Sequence, residues 1–147
     1  MVNEQYVQFD VVKEDYTICE IENGQILKTK QAITDVILLT LDDRNTRLNF
    51  GAKQISAVET PIKIDTHDIE VATVESVTEK DEIRGLKFKI IKRPTCIYES
   101  ETFLILCVTD VIKVSLTNKK DKSGNPILRF VSEQKIAVVD KPKFETK

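Results

Sequence analysis

The apolar positions of this chain fall into short runs of β-branched and aromatic residues separated by turn formers, a pattern of strands. Tyr6 to Lys13 alternates imperfectly, is rich in Val and Phe, and predicts a first strand that Glu14-Asp15 breaks. Tyr16 to Glu22 predicts a second. Asn23-Gly24 then marks a hairpin, because both residues tolerate the positive φ of a type I′ turn. Gln25 to Leu41 is long for one strand and predicts a bend or bulge near Gln31 to Asp35. Asp42 to Asn45 turns the chain, and Leu48 to Thr60 returns it, with Gly51 as a bulge or bend and Pro61 as the stop. From 65 to 85 the apolar residues Ile69, Val71, Val74 and Val77 are irregularly spaced. Helix and strand both fit there, and the β-branched content favours a strand from Asp68 to Val77. Leu86 to Lys92 and Thr95 to Glu99 predict two more strands. Phe103 to Val108 lacks polar alternation, which predicts burial on both faces at the centre of a sheet. Val111 to Leu116 and Ile127 to Val139 predict a last hairpin across residues 117–126.

One block occurs twice. Ile33-Thr34-Asp35-Val36-Ile37 returns as Val108-Thr109-Asp110-Val111-Ile112. Phe9 to Lys13 likewise matches Phe88 to Lys92, Glu20 and Glu22 match Glu99 and Glu101, and Leu48-Asn49-Phe50 matches Leu128-Arg129-Phe130. Gaps fall at turns and matches fall on apolar positions, as in a duplicated unit. The predicted fold class is therefore all-β: two tandem small antiparallel units, barrel-like or sandwich, related by a pseudo-twofold. Residues 1–64 form the first unit, 65–85 an acidic connector and 86–147 the second unit. A unit of about 60 residues buries roughly 60% of its unfolded surface, against about 70% for a chain of this length, so two such units gain by packing together.

Composition narrows the class without choosing a function. Apolar residues make up 41% and charged residues 31%, and four glycines with four prolines argue against disorder. No apolar run approaches the roughly 18 residues of a membrane span. Met1 to Gln5 has neither a basic nor an apolar leader pattern, so no secretory signal is expected. Cys19, Cys96 and Cys107 are odd in number, lack metal-ligand spacing and sit among apolar residues, which predicts buried inert thiols and a cytoplasmic protein. The net charge of −2 is unevenly placed: −3 over residues 1–64, −5 over 65–85 and +6 over 86–147. Such asymmetry points either to a charged partner or to a connector lying against the basic half.

Few side chains suggest chemistry. His67 stands in Asp65-Thr66-His67-Asp68, where one imidazole and two carboxylates would need further ligands to hold a metal. A polar turn is the simpler reading. Asp35 and Asp110 share a repeat position, and a pseudo-twofold would allow them to approach and share a proton or a cation. The alternative is a carboxylate accepting backbone N–H bonds at a bulge or strand end. Lys119, Lys120 and Lys122 make a basic hairpin tip that suits phosphate contacts, although no aromatic platform accompanies them. No phosphate-binding glycine motif is present, and nothing around Cys19, Cys96 or Cys107 suggests an activated nucleophile.

From Tyr16 through Asp43 the order of two strands about a glycine turn, then an aspartate, then Leu41-Asp42-Asp43 resembles the Sm-like barrel family. That family's interior glycine and asparagine are replaced here, and no RNA-binding residue carries over. Tyr16-x-Ile18-x-Glu20-x-Glu22-Asn23-Gly24-x-Ile26-Leu27, followed by Thr34-Asp35-Val36-Ile37, also resembles short archaeal-type β proteins of unknown function. The sequence reading is a non-enzymatic interaction or assembly module with a protein partner or a second copy of itself, no membrane, and no catalytic, cofactor or metal residue. The alternatives are a nucleic-acid binder using the basic half, and a small-ligand or metal site between the copies. Exposed strand edges supply the means for the leading reading.

Overall fold

The computed structural model describes residues 3–141 and folds them into two sheets, with no α-helix among the described residues. The first half supplies β1 (Asn3–Tyr6), β2 (Phe9–Lys13), β3 (Thr17–Ile21), β4 (Ile26–Thr40) and β5 (Thr46–Glu59). After a two-residue strand, β6 (Glu70–Val71), the second half supplies β7 (Glu82–Leu86), β8 (Phe88–Lys92), β9 (Thr95–Ser100), β10 (Phe103–Lys120) and β11 (Pro126–Asp140). In one sheet the long strand β4 pairs β5 along one side and β3 and β1 along the other. In the other, β10 pairs β11 along one side and β9 and β7 along the other.

The remaining strands cross between halves. β2 pairs β9, with Phe9 opposite Ser100 and Val11 opposite Tyr98. β8 pairs β3, with Phe88 opposite Ile21 and Ile90 opposite Cys19. Each sheet is thus completed by a strand from the other half, and the boundaries at residues 64 and 86 do not separate two packed units.

This exchange explains two differences from the sequence expectations. Tyr6 to Lys13 is two strands, because the chain changes sheets at Val7-Gln8: β1 lies against β4, and β2 against β9. Leu86 to Lys92 is interrupted at Lys87 for the same reason, with β7 on β10 and β8 on β3. β7 moreover begins inside the stretch assigned to the connector.

Two apolar clusters fill the space between the sheets. One joins Cys19, Ile21 and Leu27 to Leu86, Val111, Val114 and Leu128. The other joins Ile33 and Val36 to Cys96, Tyr98, Ile105 and Cys107. Each contains residues of both long strands, so the sheets are held by both ends of both hairpins.

Local chemistry shapes the long strands. β4 has a register shift between Ile33 and Asp35, within the predicted window, and Gly51 lies opposite Asp35. A Cβ on Gly51 would stand 2.7 Å from an Asp35 carboxylate oxygen, so a larger residue there would displace the Asp35 side chain. β10 shifts between Val111 and Lys113. The Asn23-Gly24 turn is present, with Gly24 at φ +94° and its N–H donating to the Ile21 carbonyl at 2.9 Å. It is not the predicted type I′ turn, since Asn23 keeps a negative φ.

Two further expectations fail. Of the strand predicted from Asp68 to Val77, only Glu70–Val71 pairs, parallel to the end of β10. Short 3₁₀ turns at Val74–Ser76 and Glu79–Asp81 follow. Spacings of two, three and three between Ile69, Val71, Val74 and Val77 cannot share one strand face. Phe103 to Val108 is not buried on both faces: Ile105 and Cys107 are fully buried, whereas Phe103, Leu104, Leu106 and Val108 are half-buried. The run is central in its sheet, but no element among the described residues packs over the outer face.

Candidate interaction edges

The outermost strands differ sharply in how they meet solvent. β2 and β8 are five residues each, and both carry charge and a bulge: Asp10 and Lys13 on one, Lys89 and Lys92 on the other. Short length, charge and irregularity are the usual guards of a sheet edge. β5 and β11 also carry charge, at Lys53 and Glu59 on one and Glu133, Lys135 and Asp140 on the other, but they are 14 and 15 residues long. Among the described residues β5 pairs only β4, and β11 only β10. Ala52 to Glu59 is exposed on both faces, as is Lys135 to Asp140.

The side chains of β5 sort by face. Opposite Leu27 and Thr29, which are buried, stand Val58 and Ser56 on the inner side. The Ser56 and Thr29 hydroxyls share a hydrogen bond at 2.8 Å, and Gln54 donates to Ser132 Oγ at 3.1 Å. Lys53, Ile55, Ala57 and Glu59 face outward, with Glu59 bridged to Lys28 at 2.7 Å. On β11, Ala137 and Val139 lie beside Leu106 and Leu104 and extend an apolar outer face that also includes Ile97. Sequence reasoning found the apolar run that makes this face but assigned it to the interior.

A cleft of about 1120 Å³ opens where the halves cross, lined by Tyr6, Phe9 and Asp10 on one side and Glu99, Phe103 and Lys141 on the other. Asp10 lies directly opposite Glu99, and Lys141 offsets this like-charge pair with an ion pair to Glu99 at 2.6 Å.

A buried polar network lies apart from these edges. Tyr98, fully buried, donates to Glu14 Oε2 at 2.7 Å and accepts the Ile33 N–H at 3.3 Å. Glu14 also pairs with Lys30 at 3.0 Å. Burial raises the Glu14 carboxyl, but hydrogen bonds from Tyr98 and Lys30, with the lysine charge, outweigh it and leave the pKa below the ordinary value. Burial pushes the Tyr98 phenol well above its ordinary range, and the Cys19 thiol up to about 11. Cys107 is raised by burial too, and faces Cys96 across the β9–β10 ladder. All three thiols are free and buried, as read from the sequence.

The remaining predicted residues are dispersed. Lys119 pairs with Glu70 at 2.7 Å, and that hydrogen bond raises its pKa. Lys120 donates to the Thr66 carbonyl at 2.9 Å. Only Lys122 projects from the loop without a hydrogen bond or ion pair among the described residues. The acidic connector therefore lies on the basic half, helped by Glu82, which meets Arg129 at 2.6 Å and Lys113 at 3.6 Å.

Asp35 and Asp110 are not brought together, and their strand positions differ. Asp35 follows the β4 shift and faces Gly51; Asp110 precedes the β10 shift and faces Glu133. The place of Asp35 relative to its shift is held on β10 by Lys113. Asp110 instead binds Arg93 at 2.6 Å and Lys135 at 3.8 Å. The five-letter match was out of register with the ladders. His67 is exposed between Asp65 at 2.8 Å and Asp68 at 3.1 Å, a polar turn. No group of three metal-type ligands occurs among the described residues, and none of their helices is long and apolar enough to cross a membrane.

No family model, no curated protein and no solved structure matches this chain.

Proposed function

We propose that this chain is a non-enzymatic interaction or assembly module that recruits a partner strand to its long free edges. The observation that carries this reading is the contrast among edges: β2 and β8 are guarded, while β5 and β11 offer long unpaired ladders flanked by Ile55, Ala57, Val58, Ala137, Val138 and Val139. Main-chain groups of an added strand would supply affinity, and alternate side chains would supply selectivity.

The same proposal includes duplication, each half being one five-strand unit whose second strand is exchanged. Its support is the matching of pairing partners. Cys19, Leu27, Val36 and Phe50 hold in the first half the ladder places of Tyr98, Ile105, Val114 and Phe130 in the second. The two apolar clusters contain these pairs in opposite membership.

The test uses Ala57→Lys with Ala137→Lys, both at exposed edge positions, so that folding is retained. Wild-type chain coupled to a matrix should hold a protein from native extract that the double variant, with an unchanged melting profile, releases. Equal retention by both would refute edge recognition.

A second reading, a small ligand held where the halves meet, is favoured by the cleft beneath Tyr6 and Phe103. A thermal-shift screen in which hits fail to stabilise Phe103→Ala tests it.

A further inference from the structure

The edge of β5 carries Lys53 and Glu59 on one face, three residues either side of Ser56. We infer that two chains pair through β5, antiparallel, about a dyad at Ser56; this rests on the edge reading above and names its partner.

The usable stretch is bounded on both sides. Gly51 lies against the β4 irregularity, and Pro61 cannot donate to a ladder. Ser56 stands midway between them. A dyad perpendicular to the sheet keeps each residue on its own face, so it must set one residue against its own copy.

With Ser56 at that point, Ile55 meets Ala57 of the second copy and Gln54 meets Val58. Lys53 meets Glu59, and the dyad makes that contact twice. Lys53 has no ion pair or hydrogen bond among the described residues, and Glu59 already holds Lys28 at 2.7 Å on its other side. The outer face would carry alternating positive, negative and positive side chains across three strands. On the inner face the Thr29–Ser56 hydroxyl pair would continue into its copy as one row.

Centring the dyad on Ile55 sets Glu59 against Gly51. Centring it on Ala57 sets Lys53 against Pro61 and Glu59 against Ile55. Only the Ser56 register among these three satisfies both charges and leaves Pro61 at the margin.

The full chain is examined by sedimentation velocity and light scattering from about 1 to 100 μM, a range that brackets ordinary weak self-association. The expectation is a concentration-dependent species of twice the 16.8 kDa chain mass. Lys53→Glu should weaken association by about tenfold, since two attractive pairs become repulsive. Adding Glu59→Lys to it should restore association, a rescue that loss of structure would not give.

Register is read by Ser56→Cys, which should cross-link the dimer under mild oxidation. The directly opposed Cα atoms fall within disulfide range, and the native thiols are buried. Lys53→Cys should not cross-link, its copy lying roughly 20 Å away. A wild-type monomer throughout, or cross-linking by both cysteine variants alike, overturns the inference. A monomer that still holds an extract protein in an edge-dependent way overturns self-pairing and leaves edge recognition standing.

Discussion

Tyr98→Phe isolates the buried hydroxyl on which the network at the crossing of the halves depends. The ring itself stays: it meets Phe9 edge-on, with centroids 5.9 Å apart, and phenylalanine preserves that contact. What is lost is a donor to Glu14 at 2.7 Å and an acceptor for the Ile33 N–H at 3.3 Å. A hydrogen bond to a charged group contributes about 1.5–3 kcal/mol, and a stranded buried N–H costs about 1–3. The two overlap, because the Ile33 contact is long, so a total loss of about 2–4 kcal/mol is expected at neutral pH.

Acid separates the two contributions. The Glu14 carboxyl is held below its ordinary value of 4.5 in the fold, by Tyr98 and Lys30 against the opposing effect of burial. A depressed carboxylate stabilises the fold fully above that ordinary value, and the stabilisation is lost as pH falls through the folded pKa. Removing the Tyr98 donor weakens the depression. The gap between wild type and variant should therefore be widest at neutral pH and shrink toward about 1 kcal/mol in acid, the part owed to Ile33. Urea unfolding at several pH values measures it. A gap under about 1 kcal/mol at neutral pH, or one that does not change with acid, would refute the coupling.

Other outcomes follow from single positions. Arg44 sits in the β4–β5 loop at φ +66°, so Arg44→Gly should raise stability by about 0.5–1 kcal/mol, read by thermal melting. Gly124, at φ +86° in the β10–β11 loop, has no neighbour closer than 3.8 Å to an added Cβ, so Gly124→Ala should cost about 1 kcal/mol from backbone strain alone. Ile105→Ala should cost about 2–5 kcal/mol in urea, whereas Leu104→Ala on the uncovered face should cost clearly less. Because the connector engages Lys119 and Lys120, fluorescence anisotropy near 150 mM salt should show no saturable binding of single- or double-stranded oligonucleotides. Tight binding lost in a Lys119, Lys120 and Lys122 to alanine triple variant would reverse that reading.

The strands were legible because their residues answer to local rules. Alternation marked β3, the glycine turn marked the β3–β4 hairpin, and the length of β4 predicted a bend or bulge that lies opposite Gly51. The exchange of β2 and β8 was not legible, since Phe9 to Lys13 and Phe88 to Lys92 look the same whichever sheet receives them. The error at Phe103 to Val108 came from a sound rule with a missing partner. An uninterrupted apolar run implies cover on both faces, and the described residues provide full cover on one. The Asp35 and Asp110 match failed because identity of five letters carries no information about where each strand is bulged.

Strand exchange also decides which edges remain open. β3 and β9 would each be an exposed edge if the halves folded alone, and each is closed by a short strand from the other half. That closure consumes β2 and β8 and places charged, bulged strands at one margin of each sheet. The opposite margins fall to the return strands of the long hairpins, which no further strand among the described residues covers. The interdependence is mutual: without β8 the backbone of β3 loses a ladder, and without β9 the same happens to β2. A half of roughly 60 residues buries only about 60% of its unfolded surface, a small reserve against such losses. The architecture that joins the halves into one unit is thus the one that leaves one side of β5 and of β11 unpaired among the described residues, and the proposed recognition at those edges would require no rearrangement of the core.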